Sequence, residues 1–592
     1  MKSLLKKSGA FACAAVMGIG ILSGCSDANA DPNTIKMWVS GDSYALRAYR
    51  EMEDAFNDSV GKEKGIKLTL IPKPTSGYEQ ALDSGVRTES GPDLFMVTDR
   101  YFKRFADKAQ PLDEYWANSS LDKSDIYADT VSRYRYNVEN NTSTEDATLY
   151  GLPLDNNPTV MFYNKDALEA AGVIVISVPE DELDAFNADT ALKQSLGLGN
   201  ITVPAKGFYR SMNPFTPAQG DVSGQGWVRP IPGEVMVFNN RIAMNWDEVE
   251  DLGMVLTKDY NASSITEYGY YTEWWFNYGW SVGGNCIADL TGDGAWTFTL
   301  GDDTPNYIVA DGKTYQGAYA GTEYAAGEAL SLNDKLAFTQ GTEIVANADG
   351  TYSQNGSIVG VREEVIQAAE EGTLVEMPST KAAFTRFAYI SAVGGLSICP
   401  SPTEFSASDP RAYFALGNVA MLVERSQYFS QIEGIAQFDW DVAPLPVYKT
   451  YTDPTDPQCD TVEKQGIIAA HNEGTALLMN ANSKKKDNAF IVLEYFAGQG
   501  GQKVMADNGY VPNSKSLQSY YAQEMQERIP NISVISEAID YERPGDWWYM
   551  KDRAWIDVWA EPLNQQVRYG GMTLEDFFNT YISQANDELK NY

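Results

Sequence analysis

Residues 35–56, IKMWVSGDSYALRAYREMEDAF, open the pattern that decides the fold. Ile35 to Val39 has the apolar character of a short strand, and the polar residues after it are typical of a turn. From Tyr44 to Phe56 the apolar residues recur at helical spacing, which predicts a helix with one buried face. The stretch therefore predicts a strand, a turn and a helix in direct succession.

The same alternation continues downstream. Ile66 to Ile71 predicts a second strand, Tyr78 to Thr88 a second helix, and Asp93 to Val97 a buried third strand. Strands that alternate with helices pair in parallel and carry helices on both faces of the sheet, so the expected fold class is α/β. Ligands of such sheets lie beyond the carboxyl ends of the strands, where Asp42 and Thr98-Asp99-Arg100 fall here.

Composition limits the expected ligands. The chain has 592 residues, enough for more than one domain, with 45 Lys and Arg against 81 Asp and Glu and a net charge of −36. A nucleic-acid-binding surface needs a basic face, but the longest basic run is Lys484-Lys485-Lys486, so we expect no nucleic-acid partner. The acidic surplus favours solubility at a cell surface and predicts a neutral or cationic small ligand.

The N-terminus has the features of a secretory signal. Lys2, Lys6 and Lys7 form a positive region, and an apolar stretch follows from about Gly9 to Leu22. That stretch is shorter than the roughly 20 residues of a typical transmembrane helix. We therefore interpret residues 1–24 as a signal peptide.

The end of this signal is distinctive. Leu22-Ser23-Gly24-Cys25 resembles the lipobox of bacterial lipoproteins, in which Cys25 would receive a lipid and become the mature N-terminus. Residues 25–33 are then a lipidated tether, small and polar after the cysteine. This predicts a protein anchored by lipid to the extracellular face of the cell membrane of a Gram-positive bacterium. The alternative is a plain signal peptide with an incidental cysteine.

Residues 267–280, EYGYYTEWWFNYGW, concentrate aromatic rings. Such rings either build a core or form a binding surface, because Trp and Tyr combine flat apolar faces with polar edges. Tyr271, Trp274, Trp275 and Tyr278 are spaced i, i+3, i+4 and i+7, so a helix would place them on one face. Helical spacing alone does not show which way that face points.

The positions of the cysteines, the histidine and the acidic residues predict no cofactor. Cys286, Cys399 and Cys459 allow at most one disulfide, and whether one forms stays open. The single histidine, His471, is expected to be structural rather than a ligand contact. Asp289-Leu-Thr-Gly-Asp293 resembles the start of a calcium loop, but Leu300 occupies the twelfth position, where an EF-hand needs Glu. A nonstandard calcium site at Asp289 and Asp293 is left open.

Five stretches in this order resemble one family, the extracellular solute-binding proteins of ABC sugar importers (family 1, the group that contains the maltose-binding proteins). They occur in the family order and are spread over most of the mature chain apart from two insertions, and that order makes the likeness more specific than a lone motif. The stretches are GPDLFMVTDRYFKRFADKAQPLDEY at 91–115, YGLPLDNNPTVMFYNKDALEAAG at 150–172, NWDEVEDLGMVLT at 245–257, YFALGNVAMLVERSQYFSQI with FDWDVAPLP at 413–446, and GTALLMNANSKKKDNAFIVLEYFAGQGGQKVMADNGYVPNSKSL at 474–517.

The resemblance implies a two-lobe, periplasmic-binding-protein-like fold of class II, in which a hinge links the lobes. The N-terminal lobe would hold residues 32–158 and 477–530. The C-terminal lobe would hold 159–476 and 531–592, with insertions at about 177–232 and 289–360. The chain would cross between lobes near Pro158-Thr159, near Gly474-Thr475-Ala476 and around Ile529 to Ser536. A ligand would bind between the lobes and be enclosed by hinge closure.

The resemblance also supplies candidate ligand-binding residues. Those of the first lobe and its crossing segment are Asp42, Asp99, Arg100, Asn156 and Asn157. Carboxylates, amides and guanidinium groups pair with sugar hydroxyls. Two alternatives remain open: Asp99 and Arg100 as a local ion pair, and Asp42 as the cap of the following helix.

In the second lobe the resemblance points to aromatic walls. A pyranose has an apolar C–H face that stacks on a ring, while placed polar groups read its hydroxyls. Any of these rings could instead be core. The candidates are Glu273, Trp274 and Trp275, then Gln427 or Tyr428 where the family pattern ends in Trp, then Trp547 and Trp548. The resemblance also implies that Tyr278 and Trp280 pack behind the first of these groups.

The predicted function is capture without chemistry. The protein would bind an extracellular carbohydrate, an oligosaccharide in our interpretation, and deliver it to the permease subunits of an ABC transporter. Among 81 acidic residues no spacing singles out a catalytic pair, and the single histidine excludes most catalytic triads. The alternatives are a surface glycoside hydrolase and a binding protein for a non-sugar solute such as a peptide or a polyamine.

Overall fold

The computed structural model describes residues 31–590 except 89–90, 213–232, 273–274, 291–293, 320, 391–394, 401–409, 544, 552 and 569, and the side chains of residues 410, 547 and 549. The predicted signal peptide and Cys25 lie outside the described residues. Within those residues, no helix has both the length and the apolar character needed to cross a membrane.

The first sheet has five strands and confirms the predicted α/β pattern. Its first three strands in the chain run parallel: Ile35 pairs with Leu68, and Trp38 with Phe95. The last two strands are antiparallel to their neighbours. In spatial order the strands are Lys67–Pro72, Thr34–Val39, Leu94–Thr98, Thr475–Met479 and Gly151–Pro153.

The helix predicted after the first strand spans Ser43–Asp58. It begins at Asp42, whose side chain caps it, and it buries Tyr49, Met52 and Phe56 against the sheet, because those residues share one helical face. Helices of this lobe are Ser43–Asp58, Val60–Lys64, Tyr78–Gly85, Asp99–Ala106, Asp113–Asn118, Ala128–Ser132, Lys486–Ala497 and Gln499–Asp507. Together with the first sheet they enclose one hydrophobic core.

The second sheet lies in the other lobe and has four strands. Strand Thr159–Asn164 is buried along its whole length and pairs antiparallel on both sides. In spatial order the strands are Trp440–Ala443, Thr159–Asn164, Val419–Arg425 and Tyr268–Thr272. The helices packed around this sheet and its core include Lys165–Ala170, Trp246–Val255, Phe276–Gly279, Thr380–Tyr389, Pro410–Ala415, Phe429–Ile435, Gln518–Met525, Ser533–Ala538, Ala554–Pro562 and Leu574–Leu589.

The ring-rich stretch is not one helix. Tyr268–Thr272 is a strand that pairs in parallel with Val419–Arg425, and among the described residues of the stretch the α-helical ones are Phe276–Gly279. The prediction that Tyr271 and Tyr278 share one helical face was therefore wrong, because Tyr271 belongs to a strand of the second sheet. The expectation that Tyr278 and Trp280 pack in the core is confirmed, since both are buried.

The described parts of both predicted insertion regions form small units with separate cores. The first contains the helices Leu183–Ala188 and Thr190–Ser195, and strand Phe208–Arg210 pairs with Met236–Asn239, which also pairs with Val173–Ile176. The second is built from short β segments and the helix Glu363–Glu370 follows it. Its strands are Trp296–Phe298, Asn306–Val309, Tyr315–Gln316, Glu323–Tyr324, Val345–Ala346, Tyr352–Gln354 and Ser357–Val359.

Two passages of the chain between the lobes lie side by side, and a later segment pairs with one of them. Pro158 bridges to Asn472, and strand Ala470–His471 pairs in parallel with Glu542–Arg543. We call residues 154–159, 470–475 and 542–543 the hinge.

The last passage between lobes occurs earlier than predicted. Tyr510 packs in the first core and Val511 in the second. Helix Gln518–Met525 buries Tyr521 and Met525 in the second core, so the packing changes near residue 510 rather than around Ile529 to Ser536.

Candidate functional site

A cleft of about 740 Å³ lies between the two lobes and is lined from both of them. Its walls combine aromatic rings with charged side chains. The rings are those of Tyr49, Phe276, Tyr428, His471 and Tyr510, and the charged groups are Asp42, Arg100, Arg411, Glu424, Arg425, Glu473 and Arg553. Four residues predicted from the sequence are in this lining, namely Asp42, Arg100, Gln427 and Tyr428.

The first-lobe rim is the turn after the first strand. Asp42 Oδ1 accepts hydrogen bonds from the backbone nitrogens of Tyr44 and Ala45, both at 2.9 Å. Asp42 is also exposed and lines the cleft. Capping uses one carboxylate oxygen, so the same side chain can cap the helix and meet a ligand.

Charged groups from both lobes converge on Glu473. Arg100 of the first lobe places Nη2 4.0 Å from Glu473 Oε1, and Arg425 of the second lobe forms an ion pair with the same carboxylate. Glu424 also contacts the Arg425 guanidinium, at 3.2 Å. Because Glu473 lies in the hinge between the two arginines, it links the walls of the cleft electrostatically.

Two guanidinium groups lie over the ring of Tyr428. The Arg411 guanidinium is 4.0 Å from the ring centroid and that of Arg425 is 4.9 Å away. Arg425 also donates to the Tyr428 hydroxyl at 2.7 Å. Cations are attracted to the negative face of an aromatic ring, so Tyr428 holds both groups at the cleft wall.

His471 is stacked in the floor of the cleft. Its ring lies 4.6 Å from that of Phe276 with an interplanar angle of 29°. Burial lowers the pKa of His471 well below its usual range, and the charges of Arg425, Arg133 and Arg100 lower it further. The imidazole is therefore neutral at physiological pH and presents a flat, weakly polar surface.

Solved structures share this architecture. The cycloalternan-bound ABC substrate-binding protein Lmo0181 of Listeria monocytogenes matches with a TM-score of 0.55 at 15% identity, over 94% of this chain and 98% of that one. UgpB of Mycobacterium tuberculosis, in complex with glycerophosphocholine, matches with a TM-score of 0.53 at 15% identity, over 94% of this chain and 98% of that one. The GacH receptor of Streptomyces glaucescens matches with a TM-score of 0.52 at 14% identity, over 94% of this chain and 99% of that one.

This is the two-lobe fold of the bacterial extracellular solute-binding proteins. The family model described as "Bacterial extracellular solute-binding protein" matches residues 49–199, within and just beyond the first lobe. Putative binding proteins of Brucella abortus and Brucella suis are 28% identical over 185 residues, which is 30% of this chain and 41% of each relative. The family model over residues 49–199 and the fold of the solved structures both support the resemblance inferred from the sequence.

Within this solute-binding fold, Asp99 lies beneath the cleft rather than in its lining. The carboxylate is buried and accepts hydrogen bonds from the Tyr134 hydroxyl at 2.9 Å and the Gly474 nitrogen at 3.1 Å. Arg133, and not the adjacent Arg100, is the cation beside it, at 3.9 Å. Burial raises the pKa of Asp99, while Arg133 and the two hydrogen bonds oppose that shift.

Asn156 and Asn157 are also buried in the hinge and are not in the lining of the cleft. Both contact Asn472: the Asn157 nitrogen donates to Asn472 Oδ1 at 3.0 Å, and Asn472 Nδ2 donates to Asn156 Oδ1. The same amide group of Asn472 donates to Glu542. The predicted crossing residues therefore hold the hinge together in this structure.

The tryptophans that were predicted to stack on a ligand lie in different places in the structure. Trp275 is buried and donates to Asp546 Oδ2 at 3.2 Å, an oxygen that Cys286 Sγ also contacts at 3.0 Å. Trp548 donates to the Arg133 carbonyl at 3.1 Å and joins the lobes beside the hinge. Neither is in the cleft lining. Glu273, Trp274 and the side chain of Trp547 lie outside the described residues.

Several cleft residues escaped the sequence prediction. Arg425 stands two positions before Gln427, and Glu473 directly precedes the predicted crossing at Gly474. Phe276 belongs to the ring-rich stretch, and His471 was expected to be structural. These residues lie close in sequence to predicted site residues, and that closeness was the only signal for them. It does not show which of the neighbouring side chains faces the cleft.

The possible calcium site stays a prediction. Asp289 ends the strand Ile287–Asp289, and its Oδ2 accepts a hydrogen bond from the Gly294 nitrogen at 2.9 Å. Asp293 lies outside the described residues. Among the residues that are described, no group of three or more His, Cys, Asp or Glu side chains is arranged to hold a metal ion. Cys286, Cys399 and Cys459 are free thiols in this structure.

Proposed function

We propose that this protein captures an extracellular oligosaccharide in the cleft between its lobes and delivers it to the permease of an ABC transporter. It does so as a lipoprotein anchored to the outside of the cell membrane through Cys25. The observation that carries the proposal is the composition of the cleft, where rings and hydrogen-bonding side chains from both lobes surround about 740 Å³. That volume is within the range of small-molecule sites.

The cleft chemistry suits a sugar. The rings of Phe276, Tyr428 and Tyr510 can cover apolar C–H faces, and Gln427 and Asn277 can exchange hydrogen bonds with hydroxyls. Solved neighbours of the same fold are described as complexes with cycloalternan and with acarbose. Another is a complex with glycerophosphocholine, so the fold by itself does not fix the ligand class.

Binding fits the cleft better than hydrolysis. A glycoside hydrolase needs one carboxyl that donates a proton and a second that acts as nucleophile or base. Of the three carboxylates among the described residues of the cleft lining, Glu424 and Glu473 both contact Arg425, and Asp42 caps a helix. A polyamine also fits poorly, since arginines stand in the same walls and would repel its cationic groups.

Calorimetry of the purified protein with a panel of plant and host oligosaccharides tests the proposal. We expect saturable binding of one sugar class at one site, with no turnover of the bound sugar. Replacing Gln427 by Ala should weaken that binding severalfold, whereas Gln526→Ala, an exposed position outside the cleft, should not. Equal effects of both variants, or hydrolysis of the sugar, would contradict the proposal.

A further inference from the structure

One helix of the second lobe, Phe429–Ile435, touches the first lobe at two glycines. Near the start of the helix, the Phe429 ring lies against Gly509, and a Cβ atom on that glycine would be 2.0 Å from Phe429 Cζ. Near its end, Gly434 lies against Tyr44, and a Cβ atom on Gly434 would be 2.6 Å from the Tyr44 hydroxyl oxygen. Nonbonded atoms pack best at about 3.5–4.0 Å, so a larger residue at either glycine would displace its partner.

The two glycines differ in what their backbone requires. Gly509 has a φ of 87°, in the left-handed region that favours glycine, so its conformation alone accounts for the residue. Gly434 is inside a helix, where any residue could adopt the backbone conformation and glycine lowers stability relative to alanine. The hydroxyl of Tyr44 occupies the space that a side chain at position 434 would need. Gly434 therefore weakens its own helix and accommodates a side chain from the other lobe.

The first lobe holds Tyr44 at the rim of the cleft. Tyr44 is the second residue of helix Ser43–Asp58, and its backbone nitrogen donates to Asp42 Oδ1 at 2.9 Å. Asp42 and Ala45, close to it on the same turn, line the cleft. The helix cap thus fixes the backbone that carries Tyr44 beside residues that face a ligand.

The second lobe holds the helix that carries Gly434. The Arg528 guanidinium lies 4.6 Å from the centroid of the Phe429 ring, and Arg528 Nε donates to Glu433 Oε1 at 2.9 Å. Arg528 comes shortly after helix Gln518–Met525, which packs in the core of the second lobe. Gly434 therefore moves with the second lobe, as Tyr44 moves with the first.

The two glycine contacts lie at different distances from a passage of the chain between the lobes. Gly509 directly precedes Tyr510, where the packing changes from the first core to the second, so its contact with Phe429 is close to a pivot. Gly434 is five residues further along the helix, or about 7.5 Å along its axis. A rotation displaces atoms in proportion to their distance from the pivot. Opening of the lobes should therefore separate Tyr44 from Gly434 more than Gly509 from Phe429.

We propose that Tyr44 and Gly434 form a latch, which holds the lobes closed over the ligand at this edge of the cleft. When the lobes close, the Tyr44 hydroxyl comes to lie against the backbone of Gly434, and the absence of a side chain there sets how far the lobes approach. A change that makes the closed form rarer weakens the apparent affinity in the same proportion. This inference rests on the proposed function, because it concerns closure over the ligand of the same site.

The first test measures whether the two positions meet in solution, and it needs no ligand. Tyr44→Cys and Gly434→Cys are combined in a chain that also carries Cys25→Ser and Cys459→Ser, since the remaining thiols of the mature chain are buried. A short bismaleimide should join positions 44 and 434 about tenfold faster than it joins Arg50→Cys to Gly434→Cys, because residue 50 is about 9 Å further along the same helix. Equal rates for the two pairs would overturn the latch.

The second test measures the effect of the latch on binding. Gly434→Leu fills the space of the Tyr44 hydroxyl, so we expect the sugar found in the calorimetric panel to bind about tenfold more weakly. Urea unfolding should show no loss of stability, because leucine favours a helix more than glycine does. Gln523→Leu, at an exposed position of helix Gln518–Met525, is the matched control and should leave the affinity unchanged.

A double variant separates the latch from a general effect of leucine. Tyr44→Ala alone should weaken binding severalfold, since it removes the contact. In the Gly434→Leu background, however, Tyr44→Ala clears the space that the leucine needs, so the double variant should bind more tightly than Gly434→Leu alone. Residues in contact show such non-additive effects, whereas independent residues do not. Losses that simply add would overturn the latch.

The outcomes distinguish the latch from the proposed function. If a sugar binds and neither Gly434→Leu nor Tyr44→Ala changes its affinity, the latch is overturned and the oligosaccharide function stands. If no sugar of the panel binds, the proposed function fails, and the role of the latch in holding a sugar fails with it. Fast crosslinking of positions 44 and 434 would then still show that the lobes close at this edge.

Discussion

Asn472 accepts a hydrogen bond from the backbone nitrogen of Asn157 at 3.0 Å, although 315 residues separate them in the chain. The backbone nitrogen of Asn472 in turn donates to the Arg543 carbonyl at 2.9 Å. One buried asparagine thus holds together hinge segments from three parts of the sequence. These bonds therefore lie where one lobe would rotate against the other.

Replacing Asn472 by Ala should weaken the hinge. The change leaves Glu542 and Asn156 without their amide donor in a buried site, and an unmade bond to a charged group costs about 2 kcal/mol or more. We expect the free energy of unfolding, measured by urea denaturation, to fall by about that amount. Asn118→Ala, at an exposed helix end, should leave it nearly unchanged. Equal unfolding midpoints for the two variants would show that the hinge bonds add no stability.

Trp275 and Phe276 are neighbours in sequence with different surroundings. Trp275 is buried and contacts Asp546 and Phe384, whereas Phe276 lines the cleft and stacks on His471. We expect Trp275→Ala to lower the free energy of unfolding by about 4 kcal/mol. Phe276→Ala should weaken binding of the ligand found in the calorimetric panel about tenfold. The reverse pattern would show that Trp275 is the stacking residue.

The alternation of strands and helices in the first lobe could be predicted from sequence, because its apolar runs are local and regular. The ring-rich stretch could not, since helical spacing and pairing with strand Val419–Arg425 compete for the same residues. Asp99 and Arg100 were predicted as one unit. They are consecutive residues of a helix and point about 100° apart, so only Arg100 reaches the cleft. The contact of Phe276 with His471 could not be predicted either, because it joins residues that are far apart in the sequence.

Asp155 makes stability depend on pH. Its buried carboxyl accepts a hydrogen bond from the Thr475 nitrogen at 2.8 Å, and burial raises its pKa to about 7. Between about pH 4 and pH 7 the folded protein holds a proton that the unfolded chain has released, so this group lowers stability as pH rises through that window. Asp155→Asn removes the titration.

The measurement is urea unfolding of the wild type and Asp155→Asn at several pH values from 4.5 to 8. The free energy of unfolding of the variant, relative to the wild type, should increase as pH rises towards 7 and change little above it. Asp54→Asn, at an exposed position of helix Ser43–Asp58, should show no such trend. A pH-independent difference for Asp155→Asn would contradict the raised pKa.

His471 should remain neutral in the folded protein at mildly acidic pH. It is the one histidine of the chain, so its imidazole proton resonances can be followed by NMR after selective labelling. Because its pKa is well below 6.5, we expect no titration between pH 7.5 and 5.5 in the folded protein. In urea the same resonance should titrate near pH 6.5. A folded-state titration near pH 6.5 would show that the ring is solvated rather than enclosed by Phe276 and the arginines.

Cys25 provides the test of the proposed membrane anchor. In cells that process lipoproteins, the wild-type chain should carry lipid and partition into the detergent phase, because acyl chains hold a protein at a membrane without a spanning helix. Cys25→Ser removes the acceptor thiol, so we expect the protein to appear in the aqueous phase or the medium. Cys459→Ser alters a thiol far along the chain and should leave partitioning unchanged. Detergent-phase partitioning of Cys25→Ser would mean that another part of the chain holds the protein at the membrane.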